Sequence, residues 1–323
     1  MSTQNQRTPR PRRTSLAVPG SSVKMLDKSQ ELDSDQLFLD LEDSVAANAK
    51  DAARRNVIEA LHRNRWGERI IAVRVNDWTT QWTVRDVVNV IDEAGARIDC
   101  IMLPKVQDAA QVVALDLLVT QLEQSNRLPV GRIGFELQIE DAKGLSNVDE
   151  IAAASPRNET LIFGPGDFMA SMNMKALAVG GQPDGYAADA FHYVLMRILV
   201  AARANGLQAI DGPYGLIKDV EGFRAAAASV AALGFDGKWV LHPSQVAPGN
   251  EVFSPGQEEY DRAEEIVEAY DWYTSDSGGS RGAVMLGDDF IDEASRKMAL
   301  VVVAKGRAAG MARTRSWSSP ESS

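Results

Sequence analysis

Eight short apolar runs recur along the first 250 residues, centred near residues 16, 38, 72, 102, 135, 162, 209 and 240. Runs such as Ile70-Ile71-Ala72-Val73 and Leu161-Ile162-Phe163 are apolar on both faces and bounded by turn or charged residues, the pattern of strands buried on both sides. Stretches with helical spacing separate most of them, among them residues 44–62, 109–122, 147–154, 186–205 and 220–233. Strands alternating with helices require right-handed parallel crossovers. Eight such units over this length fit a (β/α)8 TIM barrel, in the α/β class, better than an open doubly wound sheet. The dinucleotide-binding alternative lacks its G-x-G-x-x-G after the first strand.

The regularity stops near residue 250. Residues 1–12, rich in Gln, Arg and Pro, read as a disordered arm, and 13–250 as the barrel. Residues 251–311 read as a small α/β lid domain, with an acidic helix over 258–270, a flexible Ser/Gly joint at 275–280, a strand at 283–286 and a helix over 292–308. Residues 312–323 read as a disordered polar tail.

Of the 323 residues, 45% are hydrophobic, enough for a large core, while the net charge of −11 argues against a nucleic-acid or anionic-membrane surface. The one cysteine, Cys100, excludes a disulfide framework and lies in a core-like run. No apolar run approaches the roughly 20 residues that span a bilayer. The arginine-containing N-terminus has no apolar stretch behind it, so a cytoplasmic protein is the default expectation.

Charged residues mark the strand ends: Asp40 and Glu42, Arg74, Lys105, Glu140, Asp167, Asp211 and His242. In a barrel they would gather at the C-terminal rim, where the βα loops converge and reactive groups sit. Asp167 closes Leu161-Ile162-Phe163-Gly164-Pro165-Gly166-Asp167, where it can serve chemistry or simply cap the next helix. Glu140 and Asp167 end successive strands, and two close carboxylates repel unless a cation or proton lies between them. Two carboxylates suit Mg²⁺, which keeps waters and takes substrate oxygens. Zn²⁺ is disfavoured, because His62, His192 and His242 have no ligand spacing. Arg74 can hold a carboxylate or a developing enolate oxygen, or form a salt bridge to Asp40 or Glu42. Lys24 and Lys28, with Arg12 and Arg13, form either a basic group at the barrel mouth for a phosphate-bearing ligand or a solvated face.

Asp40-Leu41-Glu42-Asp43, Arg74-Val75-Asn76, Leu103-Pro104-Lys105, Ile139-Glu140, Phe163-Gly164-Pro165-Gly166-Asp167, Ala209-Ile210-Asp211-Gly212-Pro213 and Gly237-Lys238-Trp239-Val240-Leu241-His242-Pro243-Ser244-Gln245 occur in this order. Together they resemble the citrate lyase beta-subunit-like, or HpcH/HpaI aldolase, superfamily. Gly282-Ala283-Val284-Met285 and Ile291-Asp292 are similar to its malyl-CoA and β-methylmalyl-CoA lyase branch. The resemblance implies a Mg²⁺-dependent TIM barrel, with Mn²⁺ as a substitute, that breaks or makes the carbon–carbon bond of a 3-hydroxyacyl-CoA. The products would be acetyl-CoA or propionyl-CoA and glyoxylate. It implies Glu140 and Asp167 as metal ligands, Arg74 and the Gly166 amide against substrate, and Lys28 against CoA. Leu241 and His242 complete the substrate-binding set, with Asp40, Glu42 and Lys105 behind the reacting groups. Asp292 matches a catalytic aspartate carried into a neighbouring subunit of a homo-oligomer, a trimer or hexamer; without the resemblance it reads as the N-cap of the last helix. The alternatives are a citramalyl-CoA lyase, a CoA-independent 2-keto acid aldolase and a non-catalytic subunit of a larger lyase.

Overall fold

A computed structural model describes residues 10–175, 178–179, 185–186 and 188–319. The chain divides into two compact units, Met1–Phe253 and Ser254–Ser323. In the first, the order is β1 (Thr14–Pro19), α1 (Val23–Ser29), β2 (Gln36–Asp40), α2 (Lys50–Arg63), β3 (Ile70–Arg74), α3 (Thr83–Ala94), β4 (Cys100–Leu103) and α4 (Ala109–Ser125). It continues with β5 (Gly134–Ile139), α5 (Ala142–Ser146), α6 (Val148–Ala153), β6 (Asn158–Phe163), α7 (Pro165–Ser171), α8 (His192–Ala204), β7 (Gln208–Asp211), α9 (Val220–Leu233), β8 (Gly237–Val240) and α10 (Val246–Val252). The eight strands are parallel and close on themselves, β8 returning to β1 with Leu16 opposite Val240.

Strand side chains alternate between two cores, as the two-residue period demands. Leu37, Leu39, Ile71, Val73, Ile101, Phe135, Leu137, Ile139, Leu161 and Phe163 point outward and pack under the helices. Phe38, Ile70, Ala72, Cys100, Met102, Ile162, Ile210 and Trp239 fill the barrel itself. Phe38 and Trp239 meet edge to face with centroids 4.8 Å apart. Cys100 is the expected core residue, fully buried, and burial pushes its thiol well up.

The barrel floor is ionic. The Arg12 guanidinium donates to Gln36 (3.1 Å), Glu136 (2.9 Å), Gln208 (2.6 Å) and Glu159 (2.6 Å), all near the starts of their strands. Arg13 pairs with Asp35 at 2.7 Å on the same end. This corrects the expectation that Arg12 and Arg13 join a basic group at the mouth. They precede β1, and the parallel topology puts them at the end opposite the strand termini. Arg12 is also held too firmly to belong to a disordered arm; only residues 1–9 of that arm lie outside the described residues.

The helix expected over 44–62 begins at Lys50, because Asp40 accepts the Glu42 (2.9 Å) and Ser44 (3.2 Å) amides and holds that stretch as a loop. The helix expected over 186–205 starts at His192; residue 187 lies outside the described residues. That expected over 147–154 is α6, which follows the separate turn of α5.

The second unit packs α11 (Gln257–Thr274) against α12 (Glu293–Ala308), beside the antiparallel hairpin of β9 (Ala283–Leu286) and β10 (Asp289–Asp292). β10 was not expected; it is four residues long, and its turn rests on Gly287 at φ 67°. The Ser/Gly stretch at 275–280 is an ordered turn between α11 and β9, closed by Ser280 N–H to Ser275 O (3.0 Å) and Arg281 N–H to Tyr273 O (2.8 Å), and so not a joint. The tail is likewise tied down as far as residue 319. Arg313 pairs with Glu268, Arg315 with Glu265 (3.0 Å), and Trp317 packs on Trp272 and Tyr273. Residues 320–323 lie outside the described set. No helix among the described residues is long and apolar enough to cross a membrane.

Candidate active site

Six of the charged residues picked from the strand ends converge at the C-terminal mouth of the barrel. Arg74, the last residue of β3, is buried and lies opposite Asp40, the last of β2. Its Nε and Nη2 donate to the two Asp40 oxygens at 2.7 Å each, and Nη1 pairs with Glu42 at 3.0 Å. Below it lie Trp239 and Phe38, with ring centroids 4.9 and 5.7 Å from the guanidinium carbon. Burial opposes the charge on Arg74, but Asp40 and Glu42 outweigh it and raise the guanidinium further above its already high range. Burial would also raise the Asp40 carboxyl, yet Arg74 holds it below its ordinary value. Fully desolvated, fork-on-fork and stacked on an indole, this arginine is fixed in charge and direction. The salt-bridge reading of Arg74 is therefore observed, and it leaves the guanidinium at the rim.

Lys105 links the next charges. Its ammonium bonds to Glu42, reaches Asp43 at 3.2 Å, and lies 3.6 Å from Asp167. Its backbone N–H donates to Glu140 Oε1 at 2.6 Å. The residue is left-handed, with φ 52°, a strained conformation for a side chain of this size.

Glu140 follows β5 directly and is buried. Burial and the neighbouring Glu42 and Asp167 outweigh Arg74 and the Lys105 amide, and push its carboxyl up to about 8. Gly164 makes this position possible: a Cβ there would stand 2.4 Å from both Glu140 Cβ and Oε2. Gly164 is the N-cap of α7 with Pro165 first, which places Gly166 and Asp167 in the first helical turn. Asp167 is therefore a first-turn residue, not the cap, and its side chain is 44% exposed toward the mouth. Gly212, after β7, sits so tightly against the Phe163 carbonyl and Pro165 that a Cβ would fall 2.2–2.4 Å away, so this loop braces α7.

A carboxyl raised first by burial and then by the like charges of Glu42 and Asp167 is a setting a cation would relieve. No group of three or more His, Cys, Asp or Glu side chains with metal-holding geometry occurs among the described residues. Two carboxylates such as Glu140 and Asp167 would leave most of a small hard cation's coordination sphere to water and substrate oxygens.

The remaining predicted residues make other contacts. Asp211 does not join the rim; it faces out of the barrel and forms a buried pair with Lys238, whose ammonium also donates to Gly212 O at 2.7 Å. His242 is exposed, and its Nδ1 accepts the Ser244 amide at 3.2 Å, capping the turn after β8. Leu241 packs against the inner core, its amide held by Gln245 at 2.8 Å. Lys28 is exposed in the last turn of α1, and Ser22 caps that helix. In the second unit, Asp292 caps α12, its Oδ1 accepting Ser295 N–H at 2.9 Å, which holds its carboxyl below the usual range. Sequence reasoning missed Trp239 and Phe38 as the bed under Arg74, since both look like ordinary core residues. It also missed the crowding at Gly164, for which a glycine between an apolar run and a proline was the available signal.

The sequence profile described as HpcH/HpaI aldolase/citrate lyase matches residues 13–243. The L-malyl-CoA/β-methylmalyl-CoA lyase of Cereibacter sphaeroides is 41% identical over 306 residues, 91% of this chain and 94% of the relative. The malyl-CoA/β-methylmalyl-CoA/citramalyl-CoA lyase of Chloroflexus aurantiacus is 33% identical, over 83% of this chain and 80% of its own. Among solved structures, the protein CitE from Mycobacterium tuberculosis, in complex with magnesium, acetoacetate and coenzyme A, superposes with a TM-score of 0.70 at 28% identity, covering 94% of this chain and 99% of that one. With an eight-stranded barrel whose mouth gathers Arg74, Glu140 and Asp167, and with relatives at this identity and coverage, the chain belongs to the HpcH/HpaI aldolase/citrate lyase family.

Proposed function

We propose that this protein is a Mg²⁺-dependent carbon–carbon lyase that cleaves L-malyl-CoA or β-methylmalyl-CoA to acetyl-CoA or propionyl-CoA and glyoxylate, and catalyses the reverse condensation. The observation that carries the reading is the mouth cluster: an immobilised Arg74 beside a carboxylate pair, Glu140 and Asp167, that calls for a cation. Glu140 and Asp167 would hold the ion. When bound, Mg²⁺ supplies Lewis-acid charge that acidifies the substrate hydroxyl and orients its carboxylate.

Cleavage removes the hydroxyl proton, breaks the bond between C2 and C3, and leaves an enolate on the thioester fragment. Arg74 is aimed before the reaction, so its donors stabilise growing negative charge on oxygen without reorganising. Asp40 and Glu42 keep it aimed. The enolate carbon then takes a proton. Asp292 is our candidate, delivered by the second unit into the barrel of a neighbouring copy in a homo-oligomer. As a helix cap it is a carboxylate, the form that takes the α-proton in condensation. Cleavage needs its acid form, which desolvation in a closed site would favour. Lys28, the Gly166 amide, Leu241 and His242 are the proposed contacts for the CoA arm and the substrate.

The test is a coupled assay of acetyl-CoA and propionyl-CoA release from malyl-, β-methylmalyl- and citramalyl-CoA and from the free acids, with and without Mg²⁺. Turnover of the CoA esters that is lost on chelation and restored by Mg²⁺ is expected. Equal turnover of free acids, or full activity after exhaustive chelation, would overturn the reading. Preference for citramalyl-CoA would move the substrate assignment, since one methyl group changes discrimination only modestly.

A further inference from the structure

Lys105 touches the mouth carboxylates from both of its ends. Its amide fixes the buried oxygen of Glu140 at 2.6 Å, while its ammonium bonds Glu42, sits 3.2 Å from Asp43 and 3.6 Å from Asp167. The two ends depend on different features. The amide points at Glu140 because the backbone is left-handed there, at φ 52°. The ammonium reaches the carboxylates because the side chain is long and only partly exposed.

We infer that Lys105 is a positioning residue with two opposed roles: its strained backbone aims Glu140 at the cation, and its ammonium competes with that cation for Asp167. This rests on the metal reading above. A divalent ion on Asp167 would lie within about 6 Å of the ammonium, since a Mg–O bond is roughly 2.1 Å. Two like charges that close repel, so the lysine weakens metal binding while it organises the ligands. Glu42 does not need Lys105 to stay in place, because Arg74 holds it independently at 3.0 Å. A lysine that only braced the loop would act in the opposite sense, and its removal would weaken the metal site. An ammonium retained against the metal keeps the ion exchangeable, so that substrate oxygens and protein share its coordination.

The experiment is a Mn²⁺ titration of the full-length protein at low ionic strength, with free Mn²⁺ read by electron paramagnetic resonance. The proteins are wild type, Lys105→Met, Lys105→Gly, Lys105→Val and Asp167→Asn. Lys105→Met and Lys105→Gly are expected to bind Mn²⁺ about tenfold tighter, the factor set by a single and a double charge roughly 6 Å apart in a water-like dielectric. Lys105→Val loses the same charge but resists the left-handed backbone, so it should bind more weakly than Lys105→Met. If Lys105→Met fails to fold, Lys105→Gly, which tolerates that backbone, decides the charge role. Unchanged or weaker binding in the folded charge-removal variants, with wild-type binding intact, overturns the competition. Lys105→Val binding as tightly as Lys105→Met overturns the aiming role. No Mn²⁺ binding by wild type, or equal binding by Asp167→Asn, sinks the metal reading itself.

Discussion

Gly164→Ala should damage the site with the smallest possible chemical change. The φ of Gly164 is −106°, which alanine adopts freely, so the cost is steric and not conformational. The added methyl would stand 2.4 Å from Glu140 Cβ and Oε2, and ordinary contact begins near 3.4 Å, so about 1 Å must be found. Two escapes exist. The α7 start can shift, but Gly212 already presses on Pro165 from the other side, and forced repacking costs about 1–3 kcal/mol. Glu140 can swing instead and lose the Lys105 amide, and leaving those groups unpaired in a buried place costs about 1–3 kcal/mol. Either way roughly 2 kcal/mol is expected, a fall of about 4–8 °C in Tm for a unit of this size. Displacing a ligand or catalytic group by about 1 Å costs on the order of 100-fold in turnover. Thermal denaturation by circular dichroism, Mn²⁺ titration and the coupled lyase assay read the three consequences. A variant with Tm within a degree of wild type and undiminished metal affinity would refute the claim that Gly164 makes room for Glu140.

Glu140 gives a pH signature. Its folded-state carboxyl is raised to about 8, so between the ordinary glutamate range and that value the folded state holds a proton the unfolded chain has lost. That contribution is full at low pH and is lost as pH rises through about 8; the metal-free protein should lose Tm over this window relative to Glu140→Gln, and parallel curves for the two would contradict it. Arg74→Lys keeps the charge but breaks the fork on Asp40 and the stack on Trp239, and should cost roughly 3 kcal/mol in urea unfolding. A loss below about 0.5 kcal/mol would mean the fork is not holding the rim together. Asp292→Asn retains a good N-cap but no titratable carboxyl, so stability should hold while turnover falls about 10²- to 10⁴-fold. Wild-type turnover in that variant would remove Asp292 from the proton step.

The barrel was legible because its signal is repeated: each buried parallel strand must be apolar on both faces, and eight of them leave little freedom of architecture. Rim residues were legible for a related reason, since a charge ending an apolar run has nowhere to go but the strand's end. What failed were the places where a side chain's partners are distant in sequence. Arg12 and Lys28 look alike as basic residues near one turn, but parallel topology puts Arg12 on the floor with Glu136 and Lys28 on α1. Asp211 ends its strand like Asp40, yet the two-residue period turns it outward to Lys238. The left-handed backbone at Lys105 has no composition signal, because glycine or asparagine would be the usual choice there. The Ser/Gly stretch at 275–280 reads as loose by composition, but its backbone hydrogen bonds close it into a turn.

The ionic floor also bears on handling the molecule. Arg12 is the plug to which four polar side chains from separate staves are tied, and it precedes the first strand by only two positions. Removing a stretch that includes Arg12 would strand Glu136 in a dry interior with a fraction of its partners. The end of the chain that looks most dispensable thus carries, a few residues in, the keystone of the barrel's underside.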